Sequence, residues 1–399
     1  MVASPPRAQR RFHRVAPLAG VLAVGVVVRA VLIPITHGPD FTVWDLASRA
    51  TLSGVNVYAH HPAYTGGPYS YFPLFLYIEL PMQWLAIHTG LSFTILGKLP
   101  IAGADLLATL LIVHELRRQG SSRRAQAVAA GLFFLNPLVL YNGAFYGRFD
   151  SVCVALLMLA VTTHRAGHPF SWRFSLAYAS SIAAKTFPVF LLPWAVRRGR
   201  TGAVRVVLTA GVVLFVLAAP YIITSPGAFV TDILYSADKL PGGLSWQVVL
   251  HGLPAAVQVD IGDVMLGVFV LAAIAVAFVE EFSLAAAATM LLFLVLSKQV
   301  IEQYLIWPLP FLVMLAAGRG SRSAWLLIAE LTMAGMLVNA YFHPFGLQPA
   351  VINVGFAAAV LATLAPMIFS ERARSAAAVA RGAQPVAAVA ASLAVGSGP

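Results

Sequence analysis

Residues 93–141 read FTILGKLPIAGADLLATLLIVHELRRQGSSRRAQAVAAGLFFLNPLVLY. This stretch consists of two long apolar runs joined by a short arginine-rich loop. A helix needs roughly 20 apolar residues to cross the hydrocarbon core of a bilayer, and each run approaches that length. Arginine and lysine collect in the cytoplasmic loops of membrane proteins. The stretch therefore predicts two membrane-spanning helices, at about 93–115 and 125–141, joined by a cytoplasmic loop.

The composition of the whole chain agrees with this interpretation. The 399 residues are 59% hydrophobic and 10% charged, which is too little charge for the surface of a soluble protein of this size. The net charge of +11 resides in short loops between apolar runs, without the interleaved aromatics of a nucleic-acid surface. We therefore expect an all-α polytopic membrane protein whose basic face contacts anionic membrane lipids, with no nucleic-acid partner.

Further apolar runs extend the pattern along the chain. Two others, 71–87 and 174–195, are interrupted by proline and charged residues, so we interpret them as interfacial or re-entrant segments. Together they predict about 10–13 membrane helices. The full candidate spans are 15–35, 93–115, 125–141, 151–164, 203–223, 262–279, 283–297, 303–317, 323–342 and 349–369.

The positions of the basic residues predict the topology. Residues 1–14 form a basic cytoplasmic N-terminus, 15–370 a single transmembrane domain, and 371–399 a disordered, alanine-rich cytoplasmic tail. We see no internal repeat of the kind that marks many transporters. The expected outer loops are 36–92, with short interfacial helices, and 142–150, 224–261, 298–302 and 343–348.

The first outer loop opens with HGPDFTVWDLASRATLSG, residues 37–54. Asp40 follows the end of the first span and either caps an interfacial helix or serves as a functional carboxylate. Asp45 and Arg49 are four residues apart, which predicts an ion pair on a helix and favours a structural role for Asp45. Gly54 is placed to end that helix.

Four further positions carry charge in otherwise apolar or aromatic surroundings. Asp150, after Arg148 in GRFDS, is either a functional acid or the N-cap of the helix that begins at Ser151. Lys185 interrupts an apolar segment at KTFP, and an ionisable residue at membrane depth is a functional candidate by default. Lys298 and Glu302 are four apart and either pair with each other or face a polar cavity.

Two other groups of residues can be explained by a purely structural role. Tyr69 and Tyr71, in PYSYFPLFLY, are typical of an aromatic belt at a membrane surface. Lys98 and Asp105 are seven apart in one span, roughly on one face, which favours a structural role for Asp105.

The chain has no phosphate-binding glycine loop, no HExxH and no Cys/His metal spacing. We therefore expect no cofactor and find no support for a divalent metal.

In its order of motifs, the chain resembles the GT-C superfamily of integral-membrane glycosyltransferases. It is most similar to the catalytic subunit of GPI mannosyltransferase I and to bacterial polyprenyl-phosphate-mannose-dependent mannosyltransferases. The motifs run in family order between about 36 and 311. They are DFTVWDLASRATLSGVNVY (40–58), YSYFPLFLYIELP (69–81), Gly97-Lys98 followed by Asp105, LNPL (135–138), GRFDS (147–151), KTFPVFLLP (185–193) and EQYLIWPLPF (302–311).

The resemblance implies a GT-C-type bundle in a bacterial-type plasma membrane, with both termini cytoplasmic and the active site on the outer face. It also implies a catalytic aspartate in the first outer loop, at Asp40, with Asp45 as the second acidic candidate. The implied donor is a polyprenyl-phosphate sugar, most often mannose, and the implied acceptor is a hydroxyl of a lipid or glycan. One carboxylate acting as base would invert the anomeric carbon.

Loop position suggests Arg148, Lys185 and Lys298 as cations for the donor phosphate. The expected sugar- and acceptor-binding residues are Tyr69, Tyr71, Asp150, Glu302, Gln303 and Tyr304. Three alternatives stay open at this point: a lipid or polysaccharide transporter, a noncatalytic membrane scaffold, and a GT-C enzyme that uses another lipid-linked sugar. The acidic candidates gather at one interface rather than at mid-membrane, which favours an enzyme over a transporter.

Overall fold

A computed structural model of the protein describes residues 7–60, 68–164, 171–235, 239–339 and 350–370. This part of the chain is almost entirely helical, and it confirms the predicted all-α polytopic class. The predicted tail at 371–399 lies outside the described residues. The α-helices are α1 Arg7–Leu32, α2 Pro39–Leu52, α3 Leu74–Thr89, α4 Phe93–Leu96, α5 Leu99–Arg118, α6 Arg123–Phe134, α7 Pro137–Leu140, α8 Asp150–Thr163, α9 Trp172–Ala184, α10 Leu192–Arg198, α11 Arg200–Thr224, α12 Pro226–Leu234, α13 Ala255–Val276, α14 Phe282–Leu296, α15 Leu309–Arg319, α16 Arg322–Leu337 and α17 Ala350–Ser370.

Several of these helices are long and apolar enough to cross a membrane. Each predicted span overlaps a helical segment, although the number of crossings stays a prediction because several segments are short. Shorter apolar helices are Pro17–Leu32, Asp150–Thr163 and Phe282–Leu296. Within the described ranges, the helices of spanning length are Phe93–Arg118, Thr201–Thr224, Ala255–Val276 and Ala350–Ser370, with a fifth candidate in the pair Arg123–Phe134 and Pro137–Tyr146, bent by 44°.

The bend in this pair delivers Arg148 and Asp150 to one end of the bundle. Pro137 has no N–H to continue α6, and the Asn136 side chain starts a new turn by accepting a bond from the backbone N of Leu138 at 2.9 Å. A π-helical turn, Tyr141–Tyr146, follows and ends at a left-handed glycine. π-Helical turns are frequent at functional sites.

The two interrupted segments adopt different structures. Residues 172–198 form α9 and α10, separated by extended backbone at Lys185 and a 3-10 helix, Phe187–Leu191, as the KTFP break predicts. Residues 74–89 form one continuous helix, α3, despite Pro81 in its interior. α2 and α3 are the short helices predicted within 36–92, and their interfacial position stays a prediction.

Basic loops meet at the end of the bundle opposite to Arg148 and Asp150. Arg118, at the end of α5, donates to the carbonyl of Thr162 near the end of α8, at 3.0 Å. Arg319, at the end of α15, pairs with Glu281 at the start of α14. α5, α8 and α15 all begin at the end of the bundle that carries Arg148 and Asp150. The opposite end is therefore strongly basic, whereas the Arg148 and Asp150 end carries both acidic and basic residues.

Two buried cations hold the first span in place. Arg29 of α1 pairs with Asp105 of α5 through two bonds of 2.9 and 3.0 Å, so Asp105 joins two helices. Lys98 does not pair with Asp105; its ammonium donates instead to the backbone carbonyls of Ile33, Thr36, Ala144 and Phe145. Buried charges need such partners, because an unpaired ion in an apolar interior is costly.

A loop from the segment after α12 docks on the end of α14. β1, Gly242–Gly243, pairs in parallel with β2, Gln299–Val300. Ser245 donates to the carbonyl of Ser297 at 2.8 Å, and Trp246 to that of Val295 at 2.9 Å. Gly243 has φ +63°, and a Cβ there would lie 2.0 Å from the carbonyl oxygen of Val300. Glycine is therefore required at this contact.

Candidate functional site at one end of the helical bundle

Asp40 reaches the site from the first turn of α2. The N-cap of this helix is Gly38, and no side chain caps it, so the capping alternative for Asp40 is wrong. A carboxylate in the first turn is favoured by the helix dipole. The Asp40 side chain is 36% exposed and accepts a bond from Arg148 Nε at 3.2 Å. Asp40 is thus both held by a cation and open to solvent.

Arg148 bridges two carboxylates that are far apart in the sequence. Its Nε contacts Asp40, its Nη1 pairs with Glu302, and Nη1 also donates to Asn142 Oδ1 at 2.9 Å. The side chains of Arg148 and Glu302 are 7% and 5% exposed. Burial alone would lower the pKa of Arg148, but Glu302 and Asp40 outweigh it and hold that pKa above its ordinary value. The guanidinium therefore stays charged between the two acids.

A second buried ion pair lies beside the first. Lys185 Nζ donates to Asp150 Oδ1 at 2.6 Å, and Trp307 Nε1 donates to the same oxygen at 2.6 Å. Asp150 is the first residue of α8, whose N-cap is Phe149, so the capping alternative for Asp150 is wrong. Its carboxylate instead fixes a lysine at the break between α9 and the following 3-10 helix.

Aromatic rings surround the Lys185 ammonium. Lys185 Nζ lies between 5.2 and 5.8 Å from the centres of four rings, a distance at which a cation is attracted to an aromatic face. The rings belong to Tyr71, Phe149, Tyr304 and Trp307. The aromatic motifs of the first outer loop and of EQYLIWPLPF therefore meet at one lysine.

A cavity of about 330 Å³ opens next to this lysine. That volume lies at the lower end of the range of ligand pockets, roughly 300–1,000 Å³. Lys185 and Lys298 both line the cavity, together with Tyr71 and Tyr304. Its apolar wall is formed by Phe72, Phe187, Phe190, Ile233, Leu266, Phe269, Phe293, Leu296 and Trp307. Asp263 and several neutral polar side chains also line the cavity, but two lysines on a wall that is more apolar than polar suit an amphiphilic anion.

Lys298 reaches the cavity from the strand side. It does not pair with Glu302; its Nζ lies 3.3 Å from Asp263 Oδ1 of α13. Of the two alternatives, the Lys298–Glu302 pair is wrong, because Gln299–Val300 is the strand β2 and residues four apart are therefore not one helical turn apart. The sequence nevertheless selected a lysine that faces a cavity.

The expected sugar-binding residues differ in their surroundings. Tyr71 and Tyr304 line the cavity. Burial raises the pKa of the Tyr71 hydroxyl well above its ordinary value, and the Asp40 carboxylate raises it further. Tyr69 and Gln303 are buried and do not line the cavity. Tyr69 packs edge-on against Trp44 and has no hydrogen-bond partner for its hydroxyl within the described residues.

Asp45 points away from the two ion pairs. Asp45 is five positions after Asp40, which rotates its side chain by about 140° around α2 relative to that of Asp40. It pairs with Arg49 at 2.6 Å, as the four-residue spacing predicts. Asp45 and Arg49 instead line a separate surface groove with residues 86–94.

Sequence reasoning did not single out several residues of the site. Asn142 and Trp307 lie inside the motifs LNPLVLYNGAFYGRFDS and EQYLIWPLPF, and their polar side chains among apolar neighbours are the signal that was available. Asp263 lies on an exposed face of α13, about two turns after the start of the helix. Lys239 is near Asp40: burial lowers the pKa of Lys239, and the Asp40 carboxylate partly opposes that shift.

In the described part of the chain, no three His, Cys, Asp or Glu side chains form a candidate metal site, and metal independence stays a prediction.

The fold and the site define a multi-pass, all-α membrane protein with buried ion pairs and a cationic cavity at one end of its bundle. No family model matches the chain. Over 100 residues, it is 35% identical to GPI mannosyltransferase 1 of Gibberella zeae. The aligned segment is 25% of this chain and 20% of that protein, so the chain matches about a fifth of the relative's length. This likeness supports a mannosyltransferase-like relationship at a coarse level.

Proposed function

We propose that the protein is an inverting glycosyltransferase that moves mannose from a polyprenyl-phosphate donor to a hydroxyl of an envelope glycolipid or glycan. The observation that carries the proposal is the partly exposed Asp40, held by Arg148, at the end of the bundle that also carries a cavity with two lysines. The partial likeness to a GPI mannosyltransferase supports the same class of reaction. A base next to a site for an anionic amphiphile is what this transfer requires.

Asp40 is the proposed general base. Its carboxylate accepts the proton of the acceptor hydroxyl while that oxygen attacks the anomeric carbon. Arg148 holds Asp40 in place, and its second carboxylate, Glu302, balances the guanidinium charge. A single direct displacement inverts the anomeric carbon, so a β-linked donor gives an α-mannoside. We assign the base to Asp40 rather than Asp45, since Asp45 pairs with Arg49 outside this cluster.

The leaving group is the polyprenyl phosphate. As the bond between the anomeric carbon and the phosphate oxygen breaks, that oxygen keeps the electron pair and the phosphate gains one negative charge. Lys185 and Lys298 line the cavity and are placed to stabilise that charge. The apolar wall would cover the first isoprenoid units, while Tyr71 and Tyr304 would flank the sugar.

Arg148 is less available to the phosphate than the loop position suggested. Its guanidinium already contacts Asp40, Glu302 and Asn142. We therefore propose that Arg148 and Glu302 position the base, and that Asp150 positions Lys185. These roles replace direct phosphate binding by Arg148 and direct sugar binding by Glu302 in the proposal.

We further propose that this end of the bundle faces outward in a bacterial-type plasma membrane, with both termini cytoplasmic. The gathering of basic loops at the opposite end supports this orientation through the positive-inside rule. The acceptor would then approach from the aqueous side, where Asp40 is accessible. The polyprenyl donor would approach from the outer leaflet.

Sugar transfer in membranes tests this proposal. Membranes that contain the protein receive radiolabelled β-polyprenyl-phosphate mannose and an extract of envelope glycolipids and glycans, and the anomeric configuration of the product is determined. We expect an α-mannoside. Transfer from a different lipid-linked sugar would keep the enzyme class and change the donor. Movement of labelled lipid across the membrane without any transfer would instead favour the transporter alternative.

A further inference from the structure

The two lysines of the cavity have carboxylate partners of opposite character. Asp150, the partner of Lys185, is buried and also accepts a bond from Trp307. Asp263, the partner of Lys298, is 64% exposed. A buried pair is held firmly because separating it leaves an uncompensated charge, whereas an exposed pair contributes little. Lys185 is therefore fixed to its acid, whereas the Asp263 partner of the largely buried Lys298 is open to water.

The contact between Lys298 and α13 is close. Gly262 precedes Asp263, and a Cβ at Gly262 would lie 2.5 Å from Cδ of Lys298. The lysine side chain thus packs directly on the helix backbone, with its ammonium 3.3 Å from Asp263 Oδ1. Gly262, Asp263 and Lys298 all line the cavity, so an anion entering it meets this pair at the wall.

We propose that Asp263 is a replaceable counter-ion that holds Lys298 at the cavity wall and yields it to the phosphate of the ligand. The proposal rests on the proposed function, which places a lipid phosphate in this cavity. The phosphate and Asp263 compete for one ammonium, so each bound ligand displaces an exposed carboxylate into water. Asp263 then acts as a positioning residue that weakens ligand binding and favours release of the more highly charged product.

The size of the effect follows from the exposure of Asp263. An ion pair with a solvent-exposed partner contributes little free energy, because water solvates the separated charges almost as well. Removal of the competing Asp263 carboxylate should therefore tighten phosphate binding by about 1.5- to 5-fold. Salt screens exposed charges, and the gain should shrink between about 0.05 and 0.5 M ionic strength. The gain also requires Lys298, because Asp263 has no other proposed part in binding.

The experiment measures binding of dodecyl phosphate to the purified full-length protein in dodecyl maltoside by titration calorimetry. The variants are Asp263→Asn, Lys298→Gln, the double variant, and the matched control Asp260→Asn, which removes an exposed acid from the same helix away from the cavity wall. We expect tighter binding for Asp263→Asn, weaker binding for Lys298→Gln, no effect of Asp263→Asn in the Lys298→Gln background, and wild-type binding for Asp260→Asn.

Three results would overturn the inference. Equal affinities of the wild type and Asp263→Asn would show that Asp263 does not compete for Lys298, while the proposed phosphate site would stand. A gain of the same size in Asp260→Asn would reduce the effect to general charge. Failure of the wild type to bind dodecyl phosphate would remove both this inference and the phosphate site of the proposed function.

Discussion

Replacement of Glu302 by glutamine tests the ion-pair bridge that holds the proposed base. Arg148 would keep its bonds to Asn142 and to the partly exposed Asp40, but it would lose its most buried countercharge. A hydrogen bond to a charged group is worth about 1.5–3 kcal/mol, so we expect Glu302→Gln to destabilise the protein by about 2 kcal/mol. Glu302→Ala, which also removes the bonded atoms, should cost about 4 kcal/mol.

The assay is thermal unfolding of the detergent-solubilised protein, with Glu280→Gln as the matched control. Glu280 also faces arginines, but it is 67% exposed, so its loss should cost less than about 1 kcal/mol. In Arg148→Met/Glu302→Gln, the two changes should cost less than the sum of their separate effects, by about 0.5–3 kcal/mol. Strictly additive effects, or equal effects of Glu302→Gln and Glu280→Gln, would refute this reasoning.

Three further changes test other parts of the structure. Burial, reinforced by Asp45, raises the pKa of Glu79 well above its ordinary value, so the wild type should lose stability as the pH rises from about 4.3 towards that raised value, and Glu79→Gln should not. Gly243→Ala, at φ +63°, should lower the unfolding temperature by disrupting the contact of β1 with β2. Lys185→Gln should reduce transfer about 100-fold or more and destabilise the fold, because Asp150 stays buried without its cation.

Each of these changes has its own control. For Glu79, unfolding temperatures are compared across pH values with those of Glu280→Gln, and equal pH dependence in all three proteins would contradict a buried protonated Glu79. For Gly243, the control is Gly252→Ala, where a Cβ meets no atom within 4 Å; equal losses at both positions would argue against the strand contact. For Lys185, the Lys185→Gln/Asp150→Asn double variant should recover stability but not transfer, and recovery of transfer would exclude the cation role.

The local features of the first outer loop could be predicted from the sequence. The four-residue spacing of Asp45 and Arg49 predicts an ion pair on a helix, and Gly54 is placed to end that helix. The structure has the ion pair, and α2 ends at Leu52, just before the left-handed Gly54. Such features depend on neighbours within one or two turns. The capping predictions for Asp40 and Asp150 were wrong for a related reason: both residues begin a helix, but each carboxylate has a distant cation as its partner.

The partners of the site residues could not be predicted in the same way. Arg148 is 108 residues from Asp40 and 154 residues from Glu302. Which helical ends meet depends on the packing of the whole bundle, and one sequence without this geometry indicates the candidates but not their pairs. The proposed pair of Lys298 and Glu302 shows the same limit, because a short strand replaced the helix that the spacing assumed.

The most direct test of the account compares transfer by Asp40→Asn and Asp45→Asn under identical conditions. Both changes remove one carboxylate from α2, but only Asp40 contacts Arg148, whereas Asp45 pairs with Arg49. Initial rates of mannose transfer from polyprenyl-phosphate mannose are measured for proteins with wild-type unfolding temperatures. The account predicts a loss of about 100- to 10,000-fold for Asp40→Asn and near wild-type rates for Asp45→Asn. Wild-type transfer by Asp40→Asn would contradict the assignment of Asp40 as the base.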